Sequence, residues 1–439
     1  MKLMTIPETS REIPVLAEYD VVVCGGGPAG MVAAIQSARA GARTLLVERG
    51  SLLGGATTAG GVNFPGLFHA WGRQVIRGYG WKLVERCVAE AGGTLPDFSV
   101  VPDKHWHHHV WVDRFLYTLL CDEFVTEAGV EVLFHTLPAA LEAGDAGWRL
   151  TLCGKAGLET LRARVVVDCT GDANTAALAG AELRDPGPEL QPGTQVCRVS
   201  GFDGDILDET ALNQAFADAC ARGEMQSHDA GWNTGDPNVF GWLRKRGENA
   251  NHIPACDARD SRGRSRMELQ GRASVLRMYR FLRKQPGLEN LRIDYLAPEC
   301  GIRETVTVVG DKTVTIEDYV SGRRWEDALC HAYYPIDLHV SEGSGLDKRM
   351  LEHGIVPTVP RGALLPRGLR NLAVAGRCLS SDRLANSALR VQATAMATGQ
   401  AAGAMAALSA RTGADLRDLN LEDIRRLLRQ GDAIVPTYE

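Results

Sequence analysis

The chain has 439 residues, 45% of them hydrophobic, and carries 48 basic against 54 acidic side chains for a formal charge of −6. That length can bury a large core and suggests two or three domains, while the mild acidity and the lack of a basic block argue against nucleic acid as a partner. The eleven cysteines are dispersed with no CxxC pair, which removes the usual iron–sulfur and zinc-ribbon spacings and fits reduced thiols in the cytoplasm.

Residues 1–8 lack the apolar stretch and cleavage site of a signal peptide. Tyr19 to Cys24 predicts a buried parallel strand, and Met31 to Ala40 a helix that packs small residues on the sheet. Between them runs Gly25-Gly-Gly27-Pro28-Ala29-Gly30. Gly25 permits a tight turn, Gly27 lets the backbone approach a pyrophosphate, and Gly30 allows close helix–strand packing. The phosphates would then meet the N–H groups of a helix N-terminus. A second strand, Arg43 to Val47, ends at Glu48, where an acid would bond ribose hydroxyls. With strand, helix, second strand and acid all in place, the segment reads as a dinucleotide-binding unit rather than a glycine-rich turn.

A glycine-rich segment from Gly54 to Gly66 follows, then a helix from Gln74 to Glu90, a loop containing His105 to His109, and a helix capped by Asp113 that runs to about Ala128. If the loop is extended, His105, His107 and His109 share one face and could meet a cation. The segment is a connection with only Asp103 as a nearby acid, so no metal is expected. Gly129 to His135 predicts a strand, and Trp148 to Cys153 with Glu159 to Val167 a hairpin, ending in Asp168-Cys-Thr170-Gly171-Asp172. Asp172 could cap a helix over Ala173 to Gly180. From about Gln191 strands mix with helices near Asp208 to Arg222 and Met267 to Lys284. The chain returns to a strand at Asn371 to Gly376, a long small-residue helix from about Ala388 to Ala410, and a final helix capped by Asn420 and ending near Gln430. The uncharged runs Val21 to Ala38 and Val391 to Ala410 are too rich in Gly, Ala, Thr and Gln to span a bilayer.

The Gly25 to Gly30 fingerprint, Val47-Glu48-Arg49, Leu53-Gly54-Gly55-Ala-Thr57-Thr58, Thr170-Gly171-Asp172 and Leu372 to Arg377 together resemble the glutathione-reductase-type FAD fold. More narrowly, Cys300-Gly-Ile-Arg303-Glu-Thr-Val, Tyr334-Pro-Ile-Asp-Leu-His339 and the run from Gly376-Arg377 through Arg390 to Gly403 resemble the FAD-dependent oxidoreductase family, akin to the flavin subunits of fumarate reductase and heterodisulfide reductase. The resemblance covers nearly the whole chain. It implies an α/β architecture: a Rossmann-like FAD-binding domain built from residues 15–190 and 356–439, with an inserted α+β substrate domain over 191–355. It also implies FAD rather than NAD as the cofactor. Gly25, Gly27, Pro28, Ala29 and Gly30 would take the pyrophosphate, Glu48 the adenosine ribose and Arg49 the side of the adenine. Gly54, Gly55, Thr57 and Thr58 would run past the ribityl chain and flavin, and Thr136 and Leu137 would lie beside the adenine. Thr170, Gly171 and Asp172 would face the cofactor from the second turn, and Gly376 and Arg377 from the carboxyl end of a strand. Arg390 and Val391 would mark a helix N-terminus aimed at flavin N1 and O2, where its dipole favours negative charge.

In such an enzyme the flavin carries the redox chemistry, and the protein places a substrate and moves a proton. Arg303 could clamp a carboxylate, or be tied in a structural ion pair to Glu299 or Glu304. His339 could be the acid/base, or a packed histidine. His69, with Trp71, could line the substrate face or belong to the packing, and Tyr334, with Tyr333, could wall the pocket or donate a proton. Cys378, without a partner cysteine, reads as a packed thiol. No second GxGxxG is present, and Gly376-Arg377 stands where aromatic hydroxylases carry Gly-Asp-Ala. The expectation is therefore an FAD-dependent dehydrogenase or desaturase. It would move a hydride between a small polar, anionic substrate and flavin N5 and pass electrons to oxygen, a quinone or a carrier protein. The alternative is a flavin-containing electron-transfer subunit that works with a partner protein. The substrate, the direction of turnover, a covalent flavin link and a homo-oligomeric state stay open at this point.

Overall fold

The computed structural model describes residues 12–437 apart from 103, 145–146, 232–237, 255–256 and 340–345. The N-terminal octapeptide and Asp103 thus lie outside the described residues. Strand β1 (Val15–Cys24) leads into helix α1 (Pro28–Arg39) and strand β2 (Thr44–Val47). Val21, Val22, Val23 and Cys24 are all fully buried, as an uninterrupted apolar run requires when both faces of a parallel strand are covered. Pro28 opens α1 at a position whose N–H has no intrahelical partner, so its ring costs nothing there.

Helices α2 (Tyr79–Glu90) and α3 (Arg114–Glu127) pack on one side, and the Asp113 carboxylate caps α3 by accepting from Phe115 N at 2.9 Å and Leu116 N at 2.8 Å. The histidine loop is not extended. His105–His108 form a single 3₁₀ turn, so alternate imidazoles do not share a face. His108 turns inward to bond Asp97 O at 3.2 Å, while His105 and His109 meet edge to face at 5.4 Å.

Next come β3 (Glu131–Leu133), β4 (Leu137–Gly144), β5 (Gly147–Gly154), β6 (Gly157–Asp168) and the short α4 (Asn174–Leu178). The strand order is β3-β2-β1-β6-β5-β4, with β1, β2, β3 and β6 parallel and β4–β5–β6 an antiparallel meander. β4 is the strand that the sequence pattern hides, since Pro138 interrupts its start and its register shifts between Pro138 and Ala140.

Strand β7 (Cys197–Ser200), helices α5 (Glu209–Ala221) and α6 (Ser261–Leu282) and strand β8 (Arg292–Leu296) come next. Phe216, Trp242, Met278, Leu282 and Leu288 gather there into an apolar cluster of their own. From Val308 onward the chain again contributes to the sheet's two cores, with Val308 on one face and Tyr319, Leu329 and Tyr334 on the other. Strand β9 (Ile336–His339) precedes β10 (Leu372–Val374), which pairs parallel with the last three residues of β6.

Two helices, α7 (Arg383–Leu389) and α8 (Gln392–Thr412), occupy the place of the single long helix expected from Ala388. Arg390 closes α7 by donating its N–H to Asn386 O at 2.9 Å, and Val391 turns to extended geometry before α8 begins. Helix α8 lies directly on α1: a Cβ on Gly399 would fall 2.1 Å from Ala29 O, and one on Gly403 2.3 Å from Ala33 O. Helix α9 (Leu421–Gln430), capped by Asn420, ends the fold. Among the described residues no helix is long and apolar enough to cross a membrane.

Candidate active site

The carboxyl ends of β1, β2, β6 and β10 open on one cavity of about 650 Å³, the location at which open α/β sheets bind ligands. At its first turn Gly25 adopts φ +100°, and a Cβ there would lie 2.6 Å from Cys169 O. Gly30 stands behind the wall, where a Cβ would fall 1.7 Å from Gly25 O, so only glycine lets α1 begin this close to β1. Gly27 has no atom within 4 Å of where a Cβ would project, and it lines the cavity with Gly25, Pro28 and Ala29. This bare backbone at a helix N-terminus is a cradle that fits a pyrophosphate.

Glu48 leaves β2 with its carboxylate fixed by two main-chain donors, Gly26 N at 2.6 Å and Gly50 N at 2.7 Å. It borders the cavity with its further lone pairs available to a hydroxyl donor. Thr136 and Leu137 border the same end; the Thr136 hydroxyl is turned back onto Phe134 O at 2.9 Å, leaving main chain toward the cavity. Arg49 is ion-paired with Glu299. Of the glycine-rich loop, Gly55 lines the cavity, whereas Gly54, Thr57 and Thr58 stand behind it. The Thr57 hydroxyl donates to Gln392 Oε1 at 2.7 Å and that of Thr58 to Leu53 O at 2.5 Å.

The second turn is organised by a residue that no motif singles out. Asp168, fully buried, accepts from Thr170 N (2.9 Å), Thr170 Oγ1 (2.7 Å) and Ala176 N (2.7 Å). Burial raises its pKa while these donors oppose the rise. Asp172 does not cap α4; Ala173 holds the cap position without any side-chain bond. The Asp172 carboxylate instead accepts from Arg377 Nη2 at 2.6 Å and Thr305 Oγ1 at 2.8 Å. Arg377 also donates to Gly171 O at 2.8 Å and Ile302 O at 2.5 Å, so it ties the β6 turn to the β10 turn. A guanidinium attracts a nearby carboxylate more strongly than a short helix end does, which settles the competition. Gly376, Arg377 and Val391 all border the cavity, as do Thr170, Gly171 and Asp172.

At the far end two buried guanidiniums lie near the Asp337 carboxylate, which pairs with Arg390. Among the described residues Arg303, 9% exposed, is held by neutral acceptors: Pro192 O and Thr194 Oγ1, each at 2.7 Å, and His252 Nε2 at 2.9 Å. Neither acid foreseen as its ion-pair partner meets it, because Glu299 binds Arg49 and Arg264 and Glu304 binds Arg383. Burial first and neighbouring Arg390 second pull its guanidinium down to about 9, still protonated at neutral pH. Arg390 donates to Gln191 Oε1 at 3.2 Å and Asp337 O at 3.1 Å, with the Asp337 carboxylate 4.0 Å away. Its buried Nε has no acceptor among the described residues. Burial alone would raise Asp337, but His339 and the two guanidiniums overcome it and hold the carboxyl well below its usual range. His339 Nε2 lies 3.5 Å from that carboxylate. Burial, then Arg303, lowers His339 to about 4 despite Asp337, so the ring is neutral at pH 7.

Tyr334 borders the same region and is pinned by Tyr319, whose hydroxyl donates to Tyr334 O at 2.8 Å and accepts from Tyr334 N at 3.0 Å. Its ring lies parallel to His109, which in turn stacks on Phe64 at 5.0 Å, giving the cavity an aromatic wall. His69 is not part of this lining. It stacks on Phe98 at 3.7 Å and meets Trp81 edge-on, and burial lowers it to about 4. Cys378 is fully buried and free. No group of His, Cys, Asp and Glu that could hold a metal ion occurs among the described residues.

Residues 20–428 match the family described as FAD dependent oxidoreductase, and the chain belongs to that family of FAD-binding enzymes. It is similar to digeranylgeranylglycerophospholipid reductase 2 of Methanopyrus kandleri, 31% identical over 208 residues that cover 46% of this chain and 49% of that protein. It is also similar to thiamine thiazole synthase of Archaeoglobus fulgidus, 28% identical over 190 residues covering 40% and 66%. The chain thus spans about half to just under two thirds of the length of these two relatives. Among solved structures, a geranylgeranyl bacteriochlorophyll reductase-like protein of Thermoplasma acidophilum aligns over 94% of this chain and 83% of its own, with 13% identity and a TM-score of 0.39.

Proposed function

We propose that this FAD-dependent oxidoreductase moves a hydride between a small polar, anionic substrate and the flavin, with Arg303 and Arg390 as anion anchors and His339 as proton acceptor. The observation that carries it is the charge at the far end: among the described residues, two buried guanidiniums have Asp337 as the cavity-lining carboxylate beside them, with Glu304 engaged by Arg383, and Arg390 Nε has no acceptor. Buried charge demands compensation, and an anionic substrate supplies it. Bound FAD provides the hydride acceptor at N5. In this reading Gly25, Gly27, Pro28, Ala29 and Gly30 serve the pyrophosphate, Glu48 the adenosine ribose, Thr136 and Leu137 the adenine side, and Gly376 to Val391 the flavin side. Residues 191–355 are read as the inserted substrate unit; the separate apolar cluster supports this for Cys197 to Leu291, while Val308 to Leu351 pack into the cores of the sheet.

The same charges tie substrate arrival to proton uptake. Burial first and the Arg303 field second hold His339 below its ordinary value. An anion bound between the guanidiniums offsets the Arg303 part of that lowering and makes the imidazole more basic, while Asp337 at 3.5 Å stabilises the imidazolium that forms. The test is anaerobic mixing of the holoenzyme with small carboxylates. Arg303→Ala is expected to keep its flavin absorbance and lose substrate-dependent bleaching by about 10²-fold or more; unchanged reduction kinetics refute the anchor. Bleaching only by dithionite or a partner protein would point to an electron-transfer subunit instead.

A further inference from the structure

The opposite end of the cavity is closed by side chains outside the glycine fingerprint. Glu299, just after β8, is reached from three segments at once. Arg49 at the end of β2 pairs with its carboxylate, and Arg264 in the first turn of α6 donates to the same oxygen from Nη2 at 2.9 Å. The Glu299 N–H donates to Ala59 O of the glycine-rich loop at 3.0 Å. Arg264 is itself braced by Glu268 at 3.0 Å and Cys300 O at 3.1 Å, and Cys300 N returns a bond to Glu268 Oε1 at 3.0 Å. A Cβ on Gly50 would lie 3.9 Å from Glu299 Oε1, so this carboxylate sits over the turn that follows Glu48. Arg49, Arg264 and Glu299 all border the cavity.

We propose that Glu299 and Arg264, together with Arg49, clasp the adenosine half of FAD, so that the cofactor site includes two side chains supplied by the segment packed over the sheet. The inference rests on the reading that the adenosine lies at Glu48. Sheet and overlying segment meet at this end through a carboxylate shared by two cations. Release of a dinucleotide past Glu48 needs that junction to open, and opening it separates Arg49 from Glu299, which Arg264 braces from its own segment. The three side chains are 52%, 28% and 19% exposed for Arg49, Glu299 and Arg264. Solvent therefore screens each pair, and the effect is a change in residence time rather than an all-or-none loss.

The experiment follows FAD release from the holoenzyme by the recovery of free-flavin fluorescence after dilution, at low and high salt. Glu299→Gln, which breaks the bridge to Arg49, and Arg264→Gln, which takes the brace from Glu299, are each expected to speed release about three- to fivefold, a screened pair being worth up to about fivefold. Wild-type release accelerates with salt, and release from the variants responds less. Glu142→Gln, which removes a surface pair with Arg149 on the β4–β5 hairpin, leaves the rate unchanged. Release from both clasp variants within twofold of wild type, with the same salt response, overturns the proposal. Using two variants guards against misfolding of either, checked by thermal unfolding of the apoprotein. Glu48→Gln separates the two levels: if it weakens FAD binding while the clasp variants do not, the clasp alone fails, and if it leaves FAD affinity unchanged, the placement of the adenosine fails.

Discussion

Replacing Asp337 by asparagine removes one charge and almost no volume from the most heavily charged buried part of the cavity. The carboxylate lies 4.0 Å from Arg390 Nη2 and 3.5 Å from His339 Nε2. Two unit charges at that separation attract by about 4 kcal/mol at an effective dielectric constant of about 20, and removing one member of a buried pair costs about 3–5 kcal/mol. Arg390 also bonds the main-chain Asp337 O at 3.1 Å, which the substitution leaves in place, so the loss is electrostatic rather than steric. Urea unfolding of the holoenzyme at pH 7 should therefore find Asp337→Asn less stable by about 3–5 kcal/mol. A small carboxylate that seats between the guanidiniums should restore part of this, and should stabilise the variant more than the wild type. Because the folded carboxyl titrates below its unfolded value of about 3.9, its contribution is present above that pH and lost as pH falls through the folded value. The gap between the two proteins must then narrow in acid. A variant within about 1 kcal/mol of wild type, or one indifferent to carboxylates, refutes the account of an uncompensated pair.

Two further outcomes follow from burial and packing. His69, His105, His331 and His339 are each lowered to about 4 and His109 to about 3, with burial the first cause in every case. A folded state that refuses protons the unfolded chain accepts near 6.5 is fully stable above that pH and loses stability as pH falls from about 6.5 toward 4. Urea stability should show that early acid limb, with His339→Gln flattening it by up to about 1.4 kcal/mol per pH unit; a profile flat down to the carboxylate range contradicts it. Gly403→Ala would put a Cβ 2.3 Å from Ala33 O and force α8 off α1. Overpacking of this kind costs about 1–3 kcal/mol or more, so thermal unfolding of apo and holo forms should both shift down, and an unchanged midpoint refutes the close contact.

The parts of the molecule legible in the sequence are those whose physics is local. The strand–helix–strand unit from β1 to β2 announces itself because glycine positions, apolar runs and a terminal acid are adjacent in the chain. The Asp113 and Asn420 caps are likewise set by neighbours two or three residues away. What the sequence hides depends on segments far apart. Asp172 looks like a helix cap until Arg377, 205 positions later, claims its carboxylate. The start of α8 next to Arg390 and Val391 matches the helix N-terminus that the resemblance implies, but the separate short helix α7 before it is not set apart by any break in the run of helix-forming residues. Glu299 and Arg264 carry no spacing signal, since only the fold brings them to the cavity, and His252 is likewise brought to Arg303 only by the fold. His69 misleads in the opposite sense, being close in sequence to the glycine-rich loop yet stacked on Phe98 away from the cavity lining.

The pairing of β10 with the end of β6, and the seating of α8 on α1, also dictate when this protein can become itself during synthesis. Val166 and Val167 pair on that side with Leu372 and Ala373, and α1 is approached most closely by Gly399 and Gly403 of α8. A growing chain that has emitted its nucleotide fingerprint, and even Arg303 and Asp337, still exposes a bare valine edge and the face of α1 that α8 covers. Bare strand edges invite misassociation, and contacts so distant along the chain form late. The cavity takes Gly376, Arg377 and Arg390 from beyond β10, so a chain cut short of residue 372 is expected to lack a complete cofactor site and to associate through its bare edge.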